Sequence, residues 1–379
     1  MILNIFWLYN VVFVFIYVLC YFNWSFLVTP IKGELINFFI FVFIINLILG
    51  YVFRKKFIYR KLKKEDKKLK VYYAITILGI ICEFLYEKKI PIYEILIKKS
   101  GYSYLDFYGI PTIHVILVTF NTFLAIYSLQ HYLDLKNKKF ILYYIISIIY
   151  PILLYIRGIV AFIIISSTIL LIACSALNIK KIIFYTMSLL FLLYIFGLAG
   201  NKRHYKISSD SSYILTISLA TPFFRESFIP KEFIWGYIYI TTPIKNLEYN
   251  FEDNKDKTLT KKYWINCFVP DFLKKRLSFN FKSKPKLIYP NFTADTGYMQ
   301  ALINGGKIGI YFFYSLYMII IILYIKIISK SKYYIVAICI LQMINILIFY
   351  ANMFTFSGAS FSLVYPVIFY LLKKKRSCK

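Results

Sequence analysis

Arg157, Arg203, Arg225 and Arg276 stand out in a chain whose 46 basic residues include only seven arginines. A guanidinium presents a planar fork that grips phosphate oxygens in pairs, which an ammonium does not copy. The competing reading is that these arginines reach out to lipid headgroups. That reading suits Arg276, in the run KKR, better than a functional one does. Arg157 sits at a helix end inside an apolar stretch, where a charge is costly and tends to be kept for function. Arg225 is followed by ten residues and then Gly236 (RESFIPKEFIWG), an R-x10-G spacing that chance alone also produces.

An imidazole titrates near neutrality and is a ready proton acceptor for a hydroxyl. His114 follows the turn YGIPTIHV, His204 lies in NKRHYK, and His131 sits at a helix end, where we read it as interfacial. Solvated loop histidines are the alternative for the first two. The acidic candidates are Glu83, Glu94, Asp210, Glu226 and Asp295. Asp295 stands in NFTADTGYMQALINGGKIG, whose glycines permit either close approach of backbone to a ligand or close helix packing. The chain has no DxD pair, and its stretch 23–33 has no carboxylate that would serve a metal-dependent glycosyl transfer. It also lacks a GxxxxGK[ST] loop and an HExxH helix. The six cysteines form no CxxC or Cys/His grouping. We therefore expect no metal or other cofactor; if the chain is an enzyme, its leaving group must be stabilised by cations of the protein itself.

The elements that must hold these residues follow from composition. Of the 379 residues, 60% are hydrophobic, 21% aromatic and only 17% charged, with a mean hydropathy of +0.65. Apolar runs of about 20 residues recur, long enough for a hydrocarbon core about 30 Å thick. The reading is an all-α polytopic membrane protein, which excludes a soluble enzyme, a disulfide scaffold and a disordered tail. Ten apolar segments are expected near 2–22, 34–53, 71–87, 112–132, 140–156, 158–177, 182–200, 302–325, 333–353 and 355–372, the first a retained helix. The long run 140–177 must be a hairpin, breaking at Arg157-Gly158 with Pro151 loosening the helix before it. The connector 54–70 holds ten basic residues. Placing it in the cytoplasm puts every other short basic cluster, and both termini, on the same side. The formal charge of +29 then reports topology, and we expect no nucleic-acid partner. The chain divides into helices 1–7 (1–200), a long extracytoplasmic loop (201–301) and helices 8–10 with a basic tail (302–379). That loop carries 16 Lys/Arg against nine Asp/Glu and is too aromatic for disorder. Within it, 231–249 reads as a segment lying on the membrane surface.

The layout of ten helices around one long outer loop, with YGIP…H at 108–114, Arg157-Gly158 after a tyrosine-rich helix, and TTPIKNLEY at 241–249, resembles the O-antigen polymerase (Wzy-type) family. The resemblance implies a GT-C-like glycosyltransferase bundle in a bacterial plasma (inner) membrane. It implies joining of oligosaccharide repeat units carried on undecaprenyl diphosphate, with membrane lipids, a chain-length regulator and a flippase as partners. R-x10-G occurs here once, at Arg225–Gly236, where some family members carry two. On this resemblance Arg157 and Arg225 clamp the departing diphosphate with Arg203 behind them, and His204 or Asp295 is the base. Trp235 and Tyr239 stack on sugar rings, and Gly236 and His114 complete the substrate site. An O-antigen ligase, handing the same donor to lipid A core, would share the bundle, the long loop and the Arg/His chemistry. A lipid-linked oligosaccharide flippase would instead gather its charges near the bilayer midplane, often in related halves.

Overall fold

The computed structural model describes residues 3–98, 100–175, 179–203, 212–254, 257–279 and 283–377. His204 lies outside the described residues, and so does the side chain of Arg203. The described residues form helices and connectors without a strand; one isolated bridge joins Ser25 to Ala220.

Each expected apolar segment folds as a helix. Six are long and apolar enough to cross a membrane: α2 (Glu34–Val52), α3 (Lys68–Glu87), α4 (Ile113–Leu135), α6 (Arg157–Cys174), α7 (Ile179–Arg203, apolar through Asn201) and α13 (Met299–Ile328). Four are shorter: α1 (Ile5–Leu19), α5 (Lys139–Leu153), α14 (Tyr334–Ile346, continued by a 3-10 turn to Phe349) and α16 (Val364–Ser377). The protein is a helical membrane protein. Its outer helix faces stay apolar where no chain covers them, as at Ile40, Ile44 and Ile48 on α2 and Phe184, Leu190 and Phe191 on α7. Water would not tolerate such continuous faces.

The hairpin expected within 140–177 is present. Pro151 lies inside α5, Tyr155 turns the chain with φ 58°, and Arg157 opens α6. The break therefore comes at 154–156, just before Arg157-Gly158. α13 is bent at Gly306, whose φ of 68° and ψ of −160° no side-chain-bearing residue adopts without strain, so a short first segment precedes the long apolar one.

α4 and α14 form the centre, almost wholly enclosed by their neighbours. Polar side chains tie the interior together, as expected where lipid offers no hydrophobic drive between helices. Asn121 Nδ2 donates to Ser147 O at 2.8 Å, and Tyr317 Oη donates to Asn345 Oδ1 at 3.0 Å.

Two ends of the bundle differ in chemistry. At one, the basic connector after α2 folds onto its neighbours. Tyr59 Oη and the Leu62 amide donate to Asp134, Arg60 reaches Ser329 O, and Lys332 pairs with Asp66. The described residues of 212–299 pack at the opposite end. There α8 (Ser212–Ile217), α9 (Pro222–Glu226), α10 (Phe233–Phe251), α11 (Lys261–Phe268) and α12 (Asp271–Arg276) gather, with α15 (Ser357–Ser360) beneath α12. The surface placement expected for 231–249 is overturned. α10 packs against α7, α13 and α1, and Thr241, Thr242, Ile244, Asn246 and Leu247 are buried. Its polar residues face other protein segments instead of water, which is why its composition suggested an interface.

Candidate functional site

Two asparagines one turn apart on α10 organise the approach to the site. Asn246 Nδ2 donates to Phe292 O at 2.9 Å and Ala294 O at 2.8 Å, and its Oδ1 accepts from the Ile288 amide. Asn250 exchanges hydrogen bonds with the backbone of Lys286 in both directions. The irregular segment 286–294 is thereby given the partners that a strand would have supplied. Just beyond it, the Gly297 amide donates to Ile348 O at 2.7 Å. Asp295 is held between these two fixed stretches.

Asp295 lines a cavity of about 820 Å³ together with Asp271, Lys274, Lys275, Lys284 and Gln300. Asp271 is already engaged: it accepts from the amide and hydroxyl of Ser357 at the start of α15. Asp295 has no ion-pair partner among the described residues, and burial pushes its carboxyl up to about 6, against a smaller opposing effect of its own backbone. Lys274 Nζ donates to Asn266 O at 3.1 Å, and burial pulls its ammonium below the ordinary lysine value, against Cys267 and Asp271. A carboxyl poised near neutrality and three lysines thus share one cavity without an ion pair between them among the described residues. Such a space suits a ligand that is anionic and also presents a proton to be taken.

A second polar centre lies at the same end. Glu83, fully enclosed on α3, has its two carboxyl oxygens 3.0 and 3.2 Å from His114 Nδ1, and accepts from Tyr150 Oη at 2.6 Å. Gly109, with φ +61°, lets the 107–112 loop pass over this pair. The carboxylate fixes the imidazole through Nδ1, and Nε2 has no hydrogen-bond partner among the described residues. Arg276, at the end of α12, donates to the hydroxyl of Thr112 beside this loop.

The other expected site residues lie apart from the cavity. Arg157 is exposed and sits over the ring of Tyr155, 5.3 Å from its centroid. Arg225 Nε donates to Ala220 O at 2.9 Å, and its terminal nitrogen donates to Leu215 O at 2.8 Å, tying α9 to α8. Trp235, Gly236 and Tyr239 form the face of α10 turned to α7. The indole of Trp235 donates to Asn201 at 2.7 Å, a Cβ on Gly236 would meet Leu193, and Tyr239 stacks edge-on with Phe196. The structure therefore brings neither Arg157 nor Arg225 to the walls of the Asp295 cavity. Lysines 274, 275 and 284 stand there instead, residues that merge into the general lysine excess of the sequence. Glu83 was legible as an ionisable residue inside an apolar run, but its pairing with His114 was not. Among the described residues, no three of His, Cys, Asp and Glu gather as metal ligands.

Compared with protein-family models, with curated proteins and with solved structures, the chain matches none.

Proposed function

We propose that this protein is a glycosyltransferase that joins lipid-linked oligosaccharide repeat units into a surface polysaccharide. The observation that carries this reading is the cavity in which Asp295 stands among Lys274, Lys275 and Lys284. In the proposed reaction the acceptor hydroxyl loses its proton to Asp295, and its oxygen bonds to the anomeric carbon of the donor glycan. The bond from that carbon to the carrier diphosphate breaks, and the lysines receive the negative charge that develops on the departing diphosphate. A carboxyl near 6 is ionised at neutral pH yet basic enough to accept a proton in the transition state. The fold reading that goes with it has ten crossings, the four short helices completing their spans with flanking residues. The basic connectors lie in the cytoplasm, and the Asp295 end faces outward. The carrier is undecaprenyl diphosphate and the membrane a bacterial plasma membrane.

The test is a gel of surface polysaccharide from a deletion strain complemented with wild type, Asp295→Asn or Lys274→Gln/Lys275→Gln, each at matched expression. Loss of the ladder to a single-repeat band, restored by wild type alone, is the expected result. Removing a general base lowers a rate by about 10²- to 10⁴-fold. Long polymer persisting on the lipid carrier without transfer to lipid A core would make the protein a ligase. A ladder unaffected by deletion would refute the glycosyl-transfer reading for that glycan.

A further inference from the structure

The bundle end that carries the basic connectors holds a cleft that the reaction above does not use. Three stretches remote in sequence build it: the start of α3, the turn before α14, and α16. One cavity of about 280 Å³ is lined by Lys68, Lys332 and Lys373, and a neighbouring one of about 190 Å³ shares the last two and adds Lys330. Asp66 is the carboxylate at the cleft, and it is already engaged by Lys332 and by Tyr127 Oη at 3.0 Å. Lys68, Lys330 and Lys373 have no ion-pair partner among the described residues. Like charges drawn together from three chain segments repel one another, and an anion seated among them removes that cost. Below the lysines the lining changes character. The rings of Tyr72 and Phe369 stack with centroids 5.1 Å apart, and the adjoining flanks of α3 and α16 expose Val71, Ile75 and Ile368.

We propose that this cleft binds an anionic phospholipid, its headgroup phosphate among Lys68, Lys330 and Lys373 and its acyl chain along the Tyr72–Phe369 surface. A free phosphate would use the lysines and leave the apolar floor without a role. A choline headgroup brings its own cation and gains little from three ammonium groups. The site is independent of the Asp295 cavity, so it stands or falls separately from the glycosyl-transfer reading.

The experiment uses the full chain purified in neutral detergent, with lipid binding counted by native mass spectrometry and thermal unfolding followed by tryptophan fluorescence. The additions are phosphatidylglycerol, phosphatidylcholine or inorganic phosphate. Phosphatidylglycerol is expected to bind saturably and raise the melting temperature, and the other two are not. Lys68→Gln/Lys373→Gln removes two exposed, unpaired charges and is expected to weaken phosphatidylglycerol binding roughly 30-fold, taking each lysine as one anion contact. The control, Lys136→Gln/Lys138→Gln, removes as much charge from exposed positions elsewhere and is expected to keep the affinity. Equal binding of phosphatidylcholine, an equal effect of inorganic phosphate, or an equal loss in the control would each overturn the proposal.

Discussion

Replacing Gly109 with alanine tests whether the Glu83–His114 pair is held as tightly as its geometry indicates. The backbone there has φ +61°, so any side chain costs about 1–2 kcal/mol in strain. The new Cβ would lie 2.8 Å from both Glu83 Oε1 and His114 Nδ1, and 2.9 Å from His114 Cβ. Glu83 is fully enclosed and already bonded to Tyr150, so the histidine must yield. Losing that partner leaves a buried carboxyl oxygen short of a donor, a further cost of about 1–3 kcal/mol. Gly101 supplies the control: its φ is +74°, and nothing lies within 4 Å of the position a Cβ would take. Gly101→Ala should therefore cost about 1–2 kcal/mol from strain alone. Gly109→Ala should cost about 2–5 kcal/mol. Reversible unfolding in mixed detergent micelles measures both. The excess should shrink in a His114→Ala background, where the Nδ1 contact and the bond to Glu83 are absent while the contacts with Glu83 Oε1 and the Cβ of residue 114 remain. An excess below about 0.5 kcal/mol, or one undiminished in that background, refutes the reasoning, since independent sites already scatter by that much.

On the proposed function, Asp295 makes stability and activity depend on pH in opposite senses. Its carboxyl is raised from 3.8 to about 6, so the folded chain holds the proton more tightly than the unfolded chain. Its stabilising contribution is complete below about 4 and is lost as the pH rises through about 6, and Asp295→Asn should flatten that slope in a melting-temperature series. Polymerisation by membranes should rise over the same interval in wild type, as the base ionises. Arg225→Ala removes two bonds to the Ala220 and Leu215 carbonyls and should cost about 1–3 kcal/mol while leaving the polysaccharide ladder intact at matched expression. A collapsed ladder with normal stability would return Arg225 to the reaction. In Gly236→Ala the new Cβ meets only the flexible Cδ2 end of Leu193, at 3.0 Å. Helix propensity gains up to about 1 kcal/mol there, so stability should stay near wild type and the ladder should be retained.

The apolar helices and the hairpin near Arg157 were legible because each is a local property, a run of side chains of one kind interrupted by a few breakers. The buried course of α10 was not. Its polar residues, Thr241, Thr242, Asn246 and Asn250, have the composition of an interfacial helix, and only their partners show that they face protein. Arginine rarity pointed to Arg157 and Arg225, yet one lies exposed over a tyrosine ring and the other ties two short helices together. The cavity lysines carried no local signal in a chain with this much lysine. What marks them is enclosure beside Asp295, a property of the fold. Glu83 and His114 show the same limit from the other side. Each was a visible candidate alone, and a separation of 31 positions along the chain hid their bond.

α12 gives these two centres a common mechanical element. Asp271 at its start holds the amide and hydroxyl of Ser357, and Arg276 at its end holds Thr112 beside the His114 loop. Between them, Lys274 and Lys275 face the cavity that Asp295 lines. A six-residue helix has too few internal hydrogen bonds to persist unaided, so these two terminal attachments, with the bond from Lys274 to Asn266 O and the Phe272–Phe361 ring contact, set its position. Any shift of the α12 end must displace the Thr112 contact and the cavity lysines together. Cutting the Arg276–Thr112 contact by Arg276→Ala should therefore alter the affinity for anionic substrate, although Arg276 does not line the cavity. Cutting the same contact from the other side by Thr112→Val should produce the same change. If only the charge of Arg276 matters, Arg276→Ala will weaken binding while Thr112→Val leaves it untouched, and the coupling through α12 is then wrong.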